Sequence, residues 1–146
     1  MLKTLSMQDE YIVLLADDPV RPHIPHPNRI GKNKEVIVLL EDDKPAAIVC
    51  VSLQNSIPKI ENELFEETEL PTTAVFYTIW SYMPGFAGKL IFNAVDYIKE
   101  NFNSIDRFVT LSPKTEMAKK FHLRNGAFVL NDNEFSVNYE YEILPR

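Results

Sequence analysis

The chain has 146 residues, 45% of them hydrophobic, and a formal net charge of −6. That length suits one domain able to bury a real core. The acidic balance speaks against a nucleic-acid surface, which depends on clustered Lys and Arg, so any anionic ligand has to be held locally. No apolar run approaches the roughly 20 residues that cross a bilayer, and the start, MLKTLSMQDEYIVLL, is acidic where a signal peptide is basic, so a cytoplasmic protein is expected without membrane partners.

In chain order, the first apolar run is Tyr11 to Leu15, read as a strand. The stretch DDPVRPHIPHPNR follows, and its four prolines remove backbone donors and fix φ, which predicts a loop. His23 and His26 form an H-x-x-H spacing there, but no third ligand cluster accompanies them and no metal is expected. Glu35 to Leu40 and Ala46 to Leu53 are β-like runs around the turn EDDKP and read as an antiparallel hairpin. Cys50, the sole cysteine, sits in the apolar run AAIVCVSL and suits a buried thiol. In IPKIENELFEE, apolar Ile57, Ile60, Leu64 and Phe65 have helical spacing, which predicts a helix with a solvated acidic face.

Thr72 to Ser81, TTAVFYTIWS, is continuous in β-branched and aromatic residues, the composition of a strand buried on both faces. After Met83-Pro84-Gly85, the segment Gly88 to Phe102 places Leu90, Ile91, Ala94, Val95 and Ile98 on one helical face. Asp106 to Leu111 reads as another strand, stopped by Ser112-Pro113, and Lys114 to Asn125 as a helix closed by Gly126. Ala127 to Leu130 and Phe135 to Ile143 end the chain as strands joined by NDNE, and a homodimer through these strands is compatible with the pattern.

A buried strand that breaks into a glycine turn and then a helix makes an anion site, because the first N–H groups of a helix lack internal partners and carry partial positive charge. Gly85, Ala87 and Gly88 are small enough to let a pyrophosphate reach the backbone from Pro84 and Phe86 to Leu90, and Lys89 adds local charge.

The order strand, Gly-x-Ala-x-x-Leu, helix, strand, helix with Ala118-x-x-Phe121-His122-x-x-x-Gly126, then final strands, resembles the GNAT acetyltransferase superfamily. More closely, TTAVFYTI (from Thr72), GFAG (Gly85 to Gly88), TLSP (Thr110 to Pro113), FHLRNGA (Phe121 to Ala127) and VNYEY (Val137 to Tyr141) look like the C-terminal catalytic domain of malonyl-CoA decarboxylases. The resemblance covers roughly residues 46–143, with 1–34 as an N-terminal strand and Pro-rich loop of the same GNAT-like α/β (α+β) domain, residues 1–146, built on a mixed, mainly antiparallel sheet. It implies that the glycine turn binds coenzyme A, as malonyl-CoA or another acyl-CoA, and that His122 is a catalytic proton donor where common acetyltransferases have tyrosine. It also implies a catalytic serine where this chain has Val109, leaving Thr110 as first choice and Ser112 as second for the catalytic hydroxyl, with Ser112 equally placed to cap the following helix. If the ligand is an acyl thioester, as the resemblance implies, N–H groups near Trp80 to Tyr82 are the expected donors to its oxygen. An acyl-CoA N-acyltransferase, or a binding module without chemistry, fits the same pattern.

Overall fold

The computed structural model of the protein describes residues 1–142. Its strands are β1 (Leu2–Thr4), β2 (Lys34–Glu41), β3 (Lys44–Gln54), β4 (Thr73–Ser81), β5 (Arg107–Thr110), β6 (Ala127–Asp132) and β7 (Val137–Tyr141), and its α-helices are α1 (Phe86–Asn101) and α2 (Glu116–Arg124). The strands make one sheet in the order β1-β2-β3-β4-β5-β7-β6. Every neighbouring pair is antiparallel except β4 and β5, which run parallel and are connected through α1. This is the mixed, mainly antiparallel sheet that the family resemblance implies. β7 is flanked on both sides, so of the two C-terminal strands only β6 presents an edge.

The hairpin between β2 and β3 turns on Asp42 and Asp43, at φ 53° and 62°, the doubly left-handed geometry whose twist matches the flanking strands. Both faces of the sheet are covered. On one, Val49, Val51, Phe76 and Phe108 pack against Leu90, Ile91, Ala94, Val95 and Ile98 of α1. On the other, Ile48, Cys50, Val75, Tyr77 and Val109 pack against Leu15, Ile24 and Leu64 of the irregular segments. Double burial explains why β4 reads as an unbroken apolar run, each fully buried aliphatic contributing roughly 1.5–3 kcal/mol. Cys50 is fully buried, and burial pushes its thiol up to about 12. Among the described residues no helix is long and apolar enough to cross a membrane.

Three elements differ from the sequence expectation. Tyr11 to Leu15 is not a strand but part of a 3-10 helix, Glu10–Asp17, because the Asp9 carboxylate accepts from the Tyr11 N–H at 3.1 Å and winds the chain there. The helix expected in IPKIENELFEE shrinks to a 3-10 turn at Glu61–Glu63. Its acids act as backbone acceptors, Glu63 for Lys59 N–H at 2.6 Å and Glu66 for Asn55 N–H at 2.7 Å, and such local bonds compete with helix formation. The second helix begins at Glu116, not Lys114, and its cap is Thr115, whose hydroxyl accepts from Ala118 N–H at 3.2 Å. Ser112 is three residues too early for that task. The end of the predicted last strand, Ile143, lies outside the described residues.

Candidate active site

β4 and β5 pair over only four positions, Thr73 with Arg107 through Phe76 with Thr110, and the last bond runs from Leu111 N–H to the Phe76 carbonyl at 3.0 Å. β5 then leaves β4, because Ser112 exchanges two 3.0 Å backbone bonds with Val137 of β7. At the same level β4 bulges: Phe76 faces Val51 and Thr78 faces Cys50, so Tyr77 is the extra residue. Beyond the divergence a cavity of about 640 Å³ opens between the two strands, walled by Phe76 to Ser81 of β4 and by Ala87, Ser112 and His122.

The backbone of β4 presents donors to this cavity, though not all those expected. Tyr82 and Met83 N–H groups both bond the Ala46 carbonyl, at 2.8 and 3.3 Å, so the Tyr82 donor is occupied. Ladder donors alternate between the two edges of a strand, which turns Trp80 N–H toward β3 and those of Ile79 and Ser81 toward the cavity. The Trp80 side chain lines the cavity, and its indole N–H bonds the Tyr82 oxygen at 3.1 Å. Tyr82 in turn donates to Asp17 at 2.6 Å, and burial together with that carboxylate pushes the phenol up to about 12.

The glycine turn follows. Gly85 caps α1 at φ 84°, a conformation that L side chains rarely adopt, and contributes no side-chain cap bond. Phe86 N–H reaches back to the Met83 carbonyl at 3.3 Å, which leaves Ala87 and Gly88 as the forward-facing donors of the first turn. Gly88 is small for a reason that sequence could not disclose: a Cβ there would come within 2.7 Å of Asn125 Oδ1 at the end of α2, so the glycine lets the two helices approach. Leu90 is fully buried in the core, so only its backbone, never its side chain, belongs to the turn. The Lys89 ammonium lies 5.3 Å from the centre of the Phe86 ring. Pro84 precedes the turn and is exposed.

On the opposite wall, His122 is 5% exposed and holds two polar partners: Ser112 Oγ lies 3.2 Å from Nε2, and the Tyr141 hydroxyl 2.8 Å from Nδ1. Ser112 Oγ also donates to Thr110 Oγ1 at 2.8 Å, and Thr110 Oγ1 accepts Tyr139 N–H at 3.0 Å. The four side chains form one hydrogen-bonded chain. Burial lowers the imidazole to about 4, so it is neutral at physiological pH, donates at one nitrogen, accepts at the other, and can pass a proton either way along the chain. Burial likewise raises the Tyr141 phenol. Tyr139 stacks on the ring at 4.9 Å and fixes its plane. Of the two hydroxyls, Ser112 lines the cavity and touches His122, while Thr110 stands one bond behind it. The sequence ranks Thr110 ahead of Ser112, and the structure sets Ser112 nearer the imidazole. Val109 points to the opposite core, as strand alternation requires.

Neither a family model nor a curated protein matches the chain. Solved structures do. A malonyl-CoA decarboxylase from Rhodopseudomonas palustris superposes with a TM-score of 0.74 at 18% identity, over 98% of this chain and 60% of the other. The decarboxylase from Agrobacterium vitis gives 0.68 at 22% identity, over 82% of this chain and 34% of the other. A Bacillus subtilis acetyltransferase in complex with CoA gives 0.65 at 11% identity, over 98% of both chains. The fold is GNAT-like. The chain thus spans about a third and three fifths of the lengths of those two decarboxylases.

Within the GNAT-like frame, two groups beside the site escaped the sequence reading. Tyr139 and Tyr141 are two apart on β7 and therefore share the face that meets His122, a period-2 signal present in VNYEY but mute until β7 is known to lie beside β5. The second is Asp18, 3% exposed in the Pro-rich loop, whose carboxylate bonds Arg29 Nη1 at 2.8 Å. Burial raises Asp18, but bonds from Arg21 N–H, Arg29, Val20 N–H and Thr78 outweigh it and hold the carboxyl below its usual range. His23 bonds Glu61 at 2.7 Å, and among the described residues no three His, Cys, Asp or Glu side chains gather as metal ligands.

Proposed function

We propose that the protein is an acyl-CoA enzyme that removes CO2 from a malonyl thioester and protonates the product at carbon. The observation that carries this reading is the Tyr141–His122–Ser112 hydrogen-bonded chain, which ends in the cavity that Ile79 and Ser81 of β4 and Ala87 of the α1 turn also line. In this reading Ala87 and Gly88 N–H hold the pyrophosphate, assisted by Lys89, and the pantetheine arm follows the unpaired edge of β4. Ile79 and Ser81 N–H accept the negative charge that grows on the thioester oxygen as the C–C bond breaks. Apolar walls such as Phe76 and Ile79 strip water from the carboxylate and favour its departure as neutral CO2.

The electron pair left by that bond has to collect a proton. His122 supplies it from Nε2–H, directly or through the Ser112 hydroxyl, and Nδ1 recovers a proton from Tyr141. A neutral imidazole is the suitable form, because an imidazolium in this buried position would hold the carboxylate by charge instead of releasing CO2. Ser112 supplies the hydroxyl that Val109 cannot. Among the described residues that line the cavity none is charged, so the ammonium of an amine acceptor finds no counter-ion there, which supports decarboxylation over N-acyl transfer.

The test is incubation with malonyl-CoA while acetyl-CoA and CO2 are followed. Both products should appear, and His122→Gln should slow their release by on the order of a hundredfold while CoA still binds. No CO2, together with amine-dependent release of thiol from acetyl-CoA, would replace this reading by the transferase.

A further inference from the structure

The cavity passes through the sheet. Ala87 and α2 lie on the face packed by α1, whereas Pro19 and Val20, which also line it, belong to the N-terminal segment on the other face. That segment is fastened along β4 at three places: Asp17 accepts from the Tyr82 hydroxyl at 2.6 Å, Asp18 Oδ1 accepts from Thr78 Oγ1 at 2.8 Å, and Arg21 Nη1 donates to the Tyr77 carbonyl. Residues 17, 18 and 21 meet 82, 78 and 77, so the segment runs against the C-terminal end of β4.

Asp18 is the centre of this fastening. Besides Thr78, its Oδ1 accepts the N–H groups of Val20 and Arg21 at 2.8 and 2.9 Å, which curls the chain tightly around Pro19 and Val20. Its Oδ2 takes Arg29 Nη1 at 2.8 Å, and Arg29 Nη2 closes the circle on the Arg21 carbonyl at 2.7 Å. Arg29 is fully buried. The turn is thus locked by charged groups that do not line the cavity, while it shows the cavity a proline with fixed φ and a β-branched residue with few rotamers. Such a surface is apolar and yields little.

We infer that Val20, with Pro19, is the end wall of the acyl chamber and sets the size of the acyl group the protein accepts. The inference rests on the acyl-CoA reading of the cavity: with the phosphates at the α1 turn on one face, the acyl end of the thioester reaches toward the other, where the N-terminal segment stands. The substrate class is then a short-chain acyl or malonyl thioester, with any substituent meeting the Val20 side chain. Asp18 and Arg29 are positioning residues for that wall.

The experiment is calorimetric titration of the wild type, Val20→Phe and Val20→Ala with CoA, acetyl-CoA and butyryl-CoA, each variant first checked for an unchanged melting profile. One methylene against a shaped apolar wall discriminates by about tenfold or more, so Val20→Phe should weaken butyryl-CoA relative to acetyl-CoA by about that factor. Val20→Ala should shift the ratio the other way, and affinity for CoA itself should stay the same in both. An unchanged butyryl-to-acetyl ratio in both variants, with CoA bound normally, overturns the wall. Failure of the wild type to bind any of the three overturns the acyl-CoA reading beneath it.

Discussion

The two sides of the cavity are held by opposite means. On the α1 and α2 side, regular elements do the holding: capped helices, an interlocked Gly88–Asn125 approach, and a histidine braced between two β7 tyrosines and Ser112. On the N-terminal side there is little regular structure, and a buried ion pair with its backbone bonds does the same work. The difference teaches that rigidity at this site does not require secondary structure. Saturating the hydrogen-bond capacity of one buried carboxylate immobilises a loop whose four prolines rule out a regular helix.

The sharpest way to break that comparison is Arg29→Met. It leaves the buried Asp18 charge without its cation, which should cost about 3–5 kcal/mol of stability, whereas Asp18→Leu combined with Arg29→Met should restore part of the loss. Urea unfolding of the three proteins measures both. A single-variant loss below about 1 kcal/mol, the scale of exposed pairs, would show that the loop is held by something else.

His122 offers the corresponding test on the helical side. Its folded pKa of about 4 lies below the usual 6.5, so the unfolded chain binds the extra proton first. The stabilising contribution is complete above pH 6.5 and disappears as pH falls toward 4, an effect of roughly 3 kcal/mol. Stability of the wild type relative to His122→Gln, followed across that window, should show the slope in the wild type only. The same substitution should reduce CO2 release from malonyl-CoA by on the order of a hundredfold, the usual scale for a positioned proton donor. The smallest expected effect is at the turn itself: Gly85→Ala forces a side chain into φ 84° and should cost about 1 kcal/mol, with a matching loss of CoA affinity if the turn holds the phosphates.

How much of this was legible depends on whether a signal is local. β4, α1 and the glycine turn announce themselves, because an apolar run, a 3.6 period and a left-handed glycine are properties of adjacent residues. His122 stands out by the motif around it, and Ser112 by its place after a strand. Their contact could not be read, nor could which hydroxyl meets the imidazole, since that depends on the two bonds through which β7 draws Ser112 away from β4. Periodicity was misleading in IPKIENELFEE, where Glu63 and Glu66 accept from the backbone N–H groups of Lys59 and Asn55 in a local, non-helical arrangement.

Chain order, and the family resemblance carried by its motifs, pointed to the GNAT-like sheet, the glycine turn and His122, because each is marked along a few adjacent residues. The polar chain from Tyr141 to Thr110, the docking of Gly88 on Asn125 and the Asp18–Arg29 lock join residues from 2 to 37 positions apart, and those unions come into being only when strands take their registers. A side chain's partner is a matter of packing, and packing is not written in spacing.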